Sequence, residues 1–313
     1  MTGPTAGPTP LFAVLDADIV ITGPGVYDGV TAAEYHADPV DGGSLTSSGA
    51  RLLLAKSPAH YRQQVDHPDP ARSRRHFDVG TAAHSKVLGA GATAVPVATN
   101  NGRWDTAAIK AEVAAVRAAG MVPVKPEEYA AVEAMAEALL ANRYAELLFA
   151  AGRPEQCLVW TDPATGIMCR ALLDWLPDHV PGWPLVIPDY KTAEDASPAA
   201  VRKAMWEYGR HVQGRWYRDG VEALGLDGGE GTGFLLVVQE KTPPYVVTVV
   251  EPDAEAMRWA GRQVRRARRI YADCTASGRW PDYTDGAIVQ AALPRYAIYD
   301  LDDAAARGDL DYD

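Results

Sequence analysis

Met168-Cys-Arg-Ala-Leu-Leu-Asp174 and, a short way on, Leu185-Val-Ile-Pro-Asp-Tyr-Lys191 are the stretches on which the reading of this chain turns. Each is an apolar run of strand length that ends on an acid. Asp189 and Lys191 are two residues apart, so the period of a strand puts them on one side. Two carboxylates and an ammonium at the tips of adjacent strands suit a divalent cation held beside a phosphodiester. Mg²⁺ prefers oxygen ligands and keeps several waters, so two or three carboxylates suffice. The Lys191 ammonium would orient the attacking water or stabilise charge on the pentavalent phosphorus.

Asp-x-Lys is short, and the bland alternative is a structural ion pair at a strand end. Two features raise the catalytic reading. Only seven of the 30 basic residues are lysine, and the motif ends a buried apolar run where an unpaired charge is costly. The first carboxylate stays open: Asp174 sits within the strand pattern, but Pro177-Asp178 also precedes Asp189 at acceptable spacing, in a loop rich in Pro, Gly and His. Glu155, at the start of the preceding strand, adds a carboxylate to the metal site or simply faces water. His84 either ligates the metal through a neutral ring nitrogen or is an ordinary helical histidine. Gln213 and Tyr217 lie one helical turn apart and share a face, where they could hold a metal-bound water, a base edge or a phosphate.

Around these residues the chain reads as an irregular Gly- and Pro-rich leader over 1–43, then short helices over 44–56, 57–65 and 77–88. Longer helices are predicted over 105–119 and 125–151. Strands follow over 156–160, 168–176 and 185–190, the last buried on both faces, with Pro188 pointing to an edge strand or a bulge. A long helix over 197–224, strands over 233–239 and 245–250, and a helix over 253–277 complete the pattern. This order gives an α/β fold: a central mixed sheet flanked by helices, in one domain over 44–298. Within it 44–152 is a helical N-terminal elaboration and 153–298 the sheet core.

The net charge of −11 is partly local, because residues 300–313 hold six aspartates and one arginine and form an acidic tail over 299–313. Positive charge gathers at Arg72, Arg74 and Arg75, and again over Arg258–Arg269, where a solvated helix face is the alternative. Three cysteines without Cys-x-x-Cys spacing argue against a zinc ribbon, an iron–sulfur cluster or a disulfide framework. No run is long and apolar enough to span a membrane, and the start carries no signal pattern, so a cytoplasmic protein is expected. Gly228-Gly-Glu-Gly-Thr-Gly233 precedes a strand and lacks the Lys-Ser/Thr of a phosphate loop; serine-elbow and zinc-helix motifs are missing too.

Taken in order, these segments resemble the RecE-type (exonuclease VIII-like) nucleases of the PD-(D/E)XK superfamily, found in phages and prophages. The resemblance runs from about residue 24 to 298. It is carried by Ser44-Leu-Thr-Ser-Ser-Gly49, Gly80-Thr-Ala-Ala-His84, Glu155, Asp174, Asp189-Tyr-Lys191, Gln213-Gly-Arg-Trp-Tyr217 and Trp280-Pro-Asp-Tyr283. It implies a restriction-endonuclease-like core and Mg²⁺-dependent digestion of duplex DNA ends, 5′ to 3′, with Mn²⁺ as a substitute. The 3′ overhang would pass to a RecT-like single-strand annealing protein, and the enzyme would form a ring-shaped homo-oligomer. Asp174, Asp189, His84 and Glu155 become metal-site residues and Lys191 the catalytic lysine, with Gln213 and Tyr217 in support. Arg72, Arg74, Arg75, Arg170 and Arg215 become candidate DNA contacts. The family often has arginine two residues before the first aspartate, where Leu172 stands here. A same-fold nuclease on single-stranded or flap DNA, or a catalytically silent DNA-end clamp, are the competing readings.

Overall fold

The structure, a computed structural model, describes residues 12–14, 19–67, 79–89 and 93–310. In chain order it contains β1 (Phe12–Val14), β2 (Gly25–Asp28), α1 (Ala32–Ala37), α2 (Ser47–Ala55), α3 (Pro58–Asp66) and α4 (Val79–Leu88). Next come β3 (Ala94–Pro96), α5 (Ala107–Ala118), β4 (Val122–Val124), α6 (Pro126–Ala141) and α7 (Arg143–Leu148). The remainder is β5 (Gly152–Thr161), β6 (Met168–Pro177), β7 (Leu185–Ala193), α8 (Pro198–Glu207), α9 (Arg210–Ala223), β8 (Thr232–Glu240), β9 (Val247–Val250), α10 (Ala254–Ser277) and α11 (Arg295–Ala306). No described helix is long and apolar enough to cross a membrane.

The mixed α/β architecture read from the sequence is present, with its strands divided between two main sheets. One has the order β1-β2-β5-β6 and the other β7-β8-β9. The Asp162-to-Gly166 turn folds β6 back antiparallel on β5. α8 and α9 form the crossover that makes β8 parallel to β7, and β9 returns antiparallel. β6 and β7 lie side by side but share no ladder, so among the described residues β7 has a single ladder partner. Pro188 is therefore on an edge, as its missing N–H requires.

The core fills the space between these sheets and helices α2, α9 and α10. Trp160 of β5 and Trp216 of α9 are both fully buried and meet edge to face, with ring centroids 5.6 Å apart. Each such ring removes roughly 150–250 Å² from water, which fixes α9 against the β5–β6 hairpin. The close approach depends on Gly220, where a Cβ would sit 2.9 Å from the Trp160 ring.

Several expected boundaries move. Residues 19–43 are no irregular leader: β2 pairs with β5, and Ile21, Val26 and Val30 are buried. Four residues are too few for strand periodicity to register. The helix expected over 125–151 divides at Asn142, whose side chain accepts from the N–H groups of Tyr144 and Ala145 and so caps α7. The helix over 197–224 divides at Gly209, in the left-handed region with φ 60°. A Cβ there would stand 2.6 Å from Arg51 Cδ, so the turn needs glycine. Much of the acidic tail is helical in α11, with none of that helix's residues buried.

Candidate active site

β6 and β7 separate where the chemistry sits, and the separation has a local cause. The Tyr190 N–H donates to Asp174 Oδ2 at 3.2 Å, so a carboxylate stands where a strand carbonyl would close a ladder. Pro188, two residues earlier on the same edge, has no N–H to offer. The cleft holds Asp174, Asp189 and Lys191. Lys191 Nζ lies 3.0 Å from Asp174 Oδ2 and 2.9 Å from Asp189 Oδ1. Asp189 is fully buried, whereas the Lys191 and Asp174 side chains are 24% and 16% exposed, so the group opens to solvent on their side. Asp174, not Asp178, is thus the carboxylate paired with Lys191; Asp178 is exposed past the end of β6.

His84 arrives from α4. Its Nε2 is 3.3 Å from Asp174 Oδ2, and its ring leans on Tyr190 with centroids 5.8 Å apart. Glu155 comes from β5. The pairs Pro154↔Trp175 and Gln156↔Leu173 flank it, which sets it opposite Asp174. Its φ of 48° is unusual for a residue with a Cβ and interrupts the ladder beside the cleft.

Behind Asp189 runs a chain of hydrogen bonds from α9. Gln213 Nε2 donates to Asp189 Oδ1 at 3.2 Å and to Tyr217 Oη at 2.7 Å. Tyr217 Oη donates to the Leu172 carbonyl at 3.1 Å. The helix spacing of four that suggested a shared face therefore links the second carboxylate to the β6 backbone. Gln213 and Tyr217 act here as positioning groups for Asp189.

Two residues of this site escaped the sequence reading. Arg210 Nη1 donates to Gln213 Oε1 at 3.2 Å. Its i, i+3 spacing to Gln213 was the available signal. Arg51 of α2 reaches the Tyr208 carbonyl at the Gly209 break. Burial lowers its guanidinium pKa and Arg210 lowers it further, while Tyr217 and Asp189 oppose the shift. Nothing in the sequence near residue 51 indicates this neighbourhood.

The arginine expectations fare differently. Arg170 is buried and does not face a DNA surface: it pairs with Asp38 at 2.6 Å and donates to Ser44 Oγ and the Ser44 and Tyr35 carbonyls. Arg215 points along α9 to Asp219 at 2.6 Å. Arg170 stitches β6 to α1 and to Ser44, which lies outside α2 because Thr46 is the helix cap, whereas Arg215 stays within its own helix. Arg72, Arg74 and Arg75 lie outside the described residues.

Electrostatics divides the two aspartates. Burial would raise the Asp174 carboxyl, but the Lys191 charge and the His84 contact override it and hold the group well below the usual range. Asp189 moves the other way: burial raises it, and the neighbouring Asp174 adds to the rise against the pull of Lys191. Lys191 is raised; burial works against its charge, and the two carboxylates prevail.

The residues present fit a hard divalent cation. Asp189 Oδ2 is buried without a hydrogen-bond partner among the described residues, an arrangement that is costly unless a cation takes it. Among those residues no three His, Cys, Asp or Glu side chains close into a ready cage, since the Lys191 ammonium lies between the two acids. Mg²⁺, which keeps much of its water, needs no such cage.

Splayed strands carrying Asp174 and Asp189-x-Lys191, backed by a helix, define a nuclease fold of the PDDEXK class. The chain belongs to the family described as "PDDEXK-like domain of unknown function (DUF3799)", whose family model matches residues 47–290. Comparison with curated proteins finds no match. Among solved structures, the chain is similar to a "Putative exonuclease" from Eubacterium rectale, with 12% identity, 87% of this chain and 96% of that chain covered, and a TM-score of 0.47.

Proposed function

We propose that the protein is a Mg²⁺-dependent exodeoxyribonuclease that hydrolyses the phosphodiester bonds of duplex DNA from an end. The observation supporting this most strongly is the Lys191 ammonium within 3.0 Å of both Asp174 and Asp189, in a cleft where one acid oxygen has no donor among the described residues. Asp174 and Asp189 would hold the metal, with His84 beside Asp174 and Glu155 across the β5–β6 ladder from it. Bound Mg²⁺, or Mn²⁺ in its place, stabilises charge on the scissile phosphate and makes water a better nucleophile. Lys191 adds a fixed positive charge where the pentavalent phosphorus develops its negative charge. Gln213 and Tyr217 keep Asp189 in register with β6. Arg210 and Arg51 offer guanidinium groups to the phosphates next to the scissile one.

The 5′-to-3′ polarity, the 3′ overhang, a RecT-like annealing partner, a ring-shaped homo-oligomer and a cytoplasmic setting rest on the resemblance to RecE-type nucleases. A second reading, single-stranded or flap DNA, draws on two exposed aromatic rings: Tyr208, with Arg210 over its ring at 5.5 Å, and Trp206, stacked on His211. Trp206 and Tyr208 are 74% and 58% exposed just before α9, where rings of this kind stack unpaired bases.

Digestion of duplexes labelled at the 5′ or the 3′ end tests the proposal. Mg²⁺ should release the 5′ label first, chelator should stop release, and single strands should be poorer substrates. No release with either metal, or release that persists in chelator, would overturn it.

A further inference from the structure

The outward face of α10 carries a concentration of charge that catalysis at the cleft does not use. Arg258, Arg262, Arg265, Arg266 and Arg269 are exposed, and no acid occurs between Glu255 and Asp273. The inner face of the same helix is buried through Ala260, Gly261, Val264 and Ala267, so the arginines project outward. Arg262, Arg265, Arg266 and Arg269 line a shallow concavity of about 430 Å³ with Ile270 and Asp273. None of the four forms an ion pair with a described residue, whereas Arg258 pairs with Glu255 at 3.0 Å.

An ordinary solvated helix face would look different. Elsewhere on this protein helical cations find acids one turn away: Arg62–Asp66, Lys203–Glu207, Arg215–Asp219 and Arg218–Glu222. On α10 the i, i+4 neighbours 258/262, 262/266 and 265/269 are all arginine, an arrangement that destabilises the helix. In a chain of net charge −11 that repulsion stands out, and a bound polyanion would offset it. Trp259, 48% exposed, carries Arg258 and Arg262 over its ring at 5.2 and 5.0 Å, which holds their forks outward.

We propose that this face, from Arg258 to Arg269, is a track for the phosphate backbone of DNA, separate from the cleft and gripping the duplex away from the reacting end. The inference rests on the nuclease reading above. Planar guanidinium forks match phosphate oxygens, and Arg262 to Arg269 spans about 10 Å of helix, roughly three phosphate steps of one strand. A protein partner would want an apolar centre, and the lining offers only Ile270. The track is one helix from the site. Gln263 Oε1 meets His211 Nε2 at 3.0 Å, and His211 precedes Gln213 by two residues on α9. It would set grip and affinity, not the chemical step.

The test is equilibrium binding of a blunt duplex in chelator across a salt series, comparing the wild type with the Arg262→Ala, Arg265→Ala, Arg266→Ala, Arg269→Ala quadruple variant. Each lost phosphate contact flattens the plot of log affinity against log salt by about 0.9, so the slope should drop by roughly 3–4. Affinity near physiological salt should fall at least tenfold while kcat on saturating duplex is kept. Alanine favours helix and removes the like-charge pairs, so the variant should melt no lower than wild type, which controls for folding. An unchanged slope, beside a wild type that binds duplex, would overturn the track and leave the nuclease reading intact. An unchanged slope together with lost self-association would overturn it in favour of an interface between copies. A wild type that does not bind duplex at all would overturn both.

Discussion

Gln213 donates from Nε2 to Asp189 Oδ1 at 3.2 Å, which makes the geometry of a strand carboxylate depend on a helix 24 residues away. Its other partners are spoken for as well, with Arg210 donating to its oxygen and Tyr217 accepting from its nitrogen. The cleft is thus assembled by three elements, β6, β7 and α9, and the amide is the joint between them.

Gln213→Ala should therefore loosen Asp189 without removing any ligand. Groups that orient metal ligands typically contribute 10–100-fold in metal affinity or activity. The half-saturating Mg²⁺ concentration should rise by about that factor, with most of the rate recovered at high Mg²⁺. Loss of rate with an unchanged Mg²⁺ requirement would contradict the positioning role.

Asp189→Asn should abolish cleavage and stabilise the fold at neutral pH. The folded protein raises this carboxyl, chiefly by burying it, so the folded state binds the proton more tightly than the unfolded chain does. Its contribution to stability is then present below the ordinary carboxylate pKa and is lost as pH rises through the raised value. Asparagine removes that loss. A gain in Tm is expected near neutrality and should vanish in acid. Equal melting of the two proteins at neutral pH would count against it.

Arg170→Ala should act on stability and not on DNA. The side chain is 7% exposed and holds Asp38, Ser44 and Tyr35 to β6. Asp38 is 28% exposed, so the charge left behind is partly solvated, and the cost comes chiefly from the buried acceptors that lose their donor, about 1–3 kcal/mol. Denaturant unfolding should show a loss of that order, with the salt slope of duplex binding unchanged in the surviving folded fraction. A flattened slope with wild-type stability would return Arg170 to the DNA surface.

What the sequence disclosed and withheld follows physical lines. The strands of the cleft were readable because β6 and β7 are long apolar runs ending in charge, and the Gln213–Tyr217 spacing was readable because a helix has a fixed period. Asp174 could be preferred over Asp178 because only the former kept the strand alternation. Arg51 was invisible, since its reach to the Gly209 break depends on a contact between helices that no local pattern encodes. The break at Gly209 was hidden inside the helix expected over 197–224, and the approach of Arg51 shows why glycine stands there. Arg170 looked like a surface cation because sequence reports charge and not the acid, Asp38, that waits across the fold. β2 is too short to show any period, and its pairing with β5 is set by distant residues.

The central claim is that the Asp174–Asp189–Lys191 cleft cleaves DNA with a divalent metal. Single-turnover digestion of a blunt, 5′-labelled duplex by wild type and Lys191→Ala, each with Mg²⁺ and with chelator, tests it most directly. Release by wild type only with metal, and a loss of at least 10²-fold in the variant with duplex binding retained, is the expected result. Equal release by both proteins, or none from either, would contradict the account.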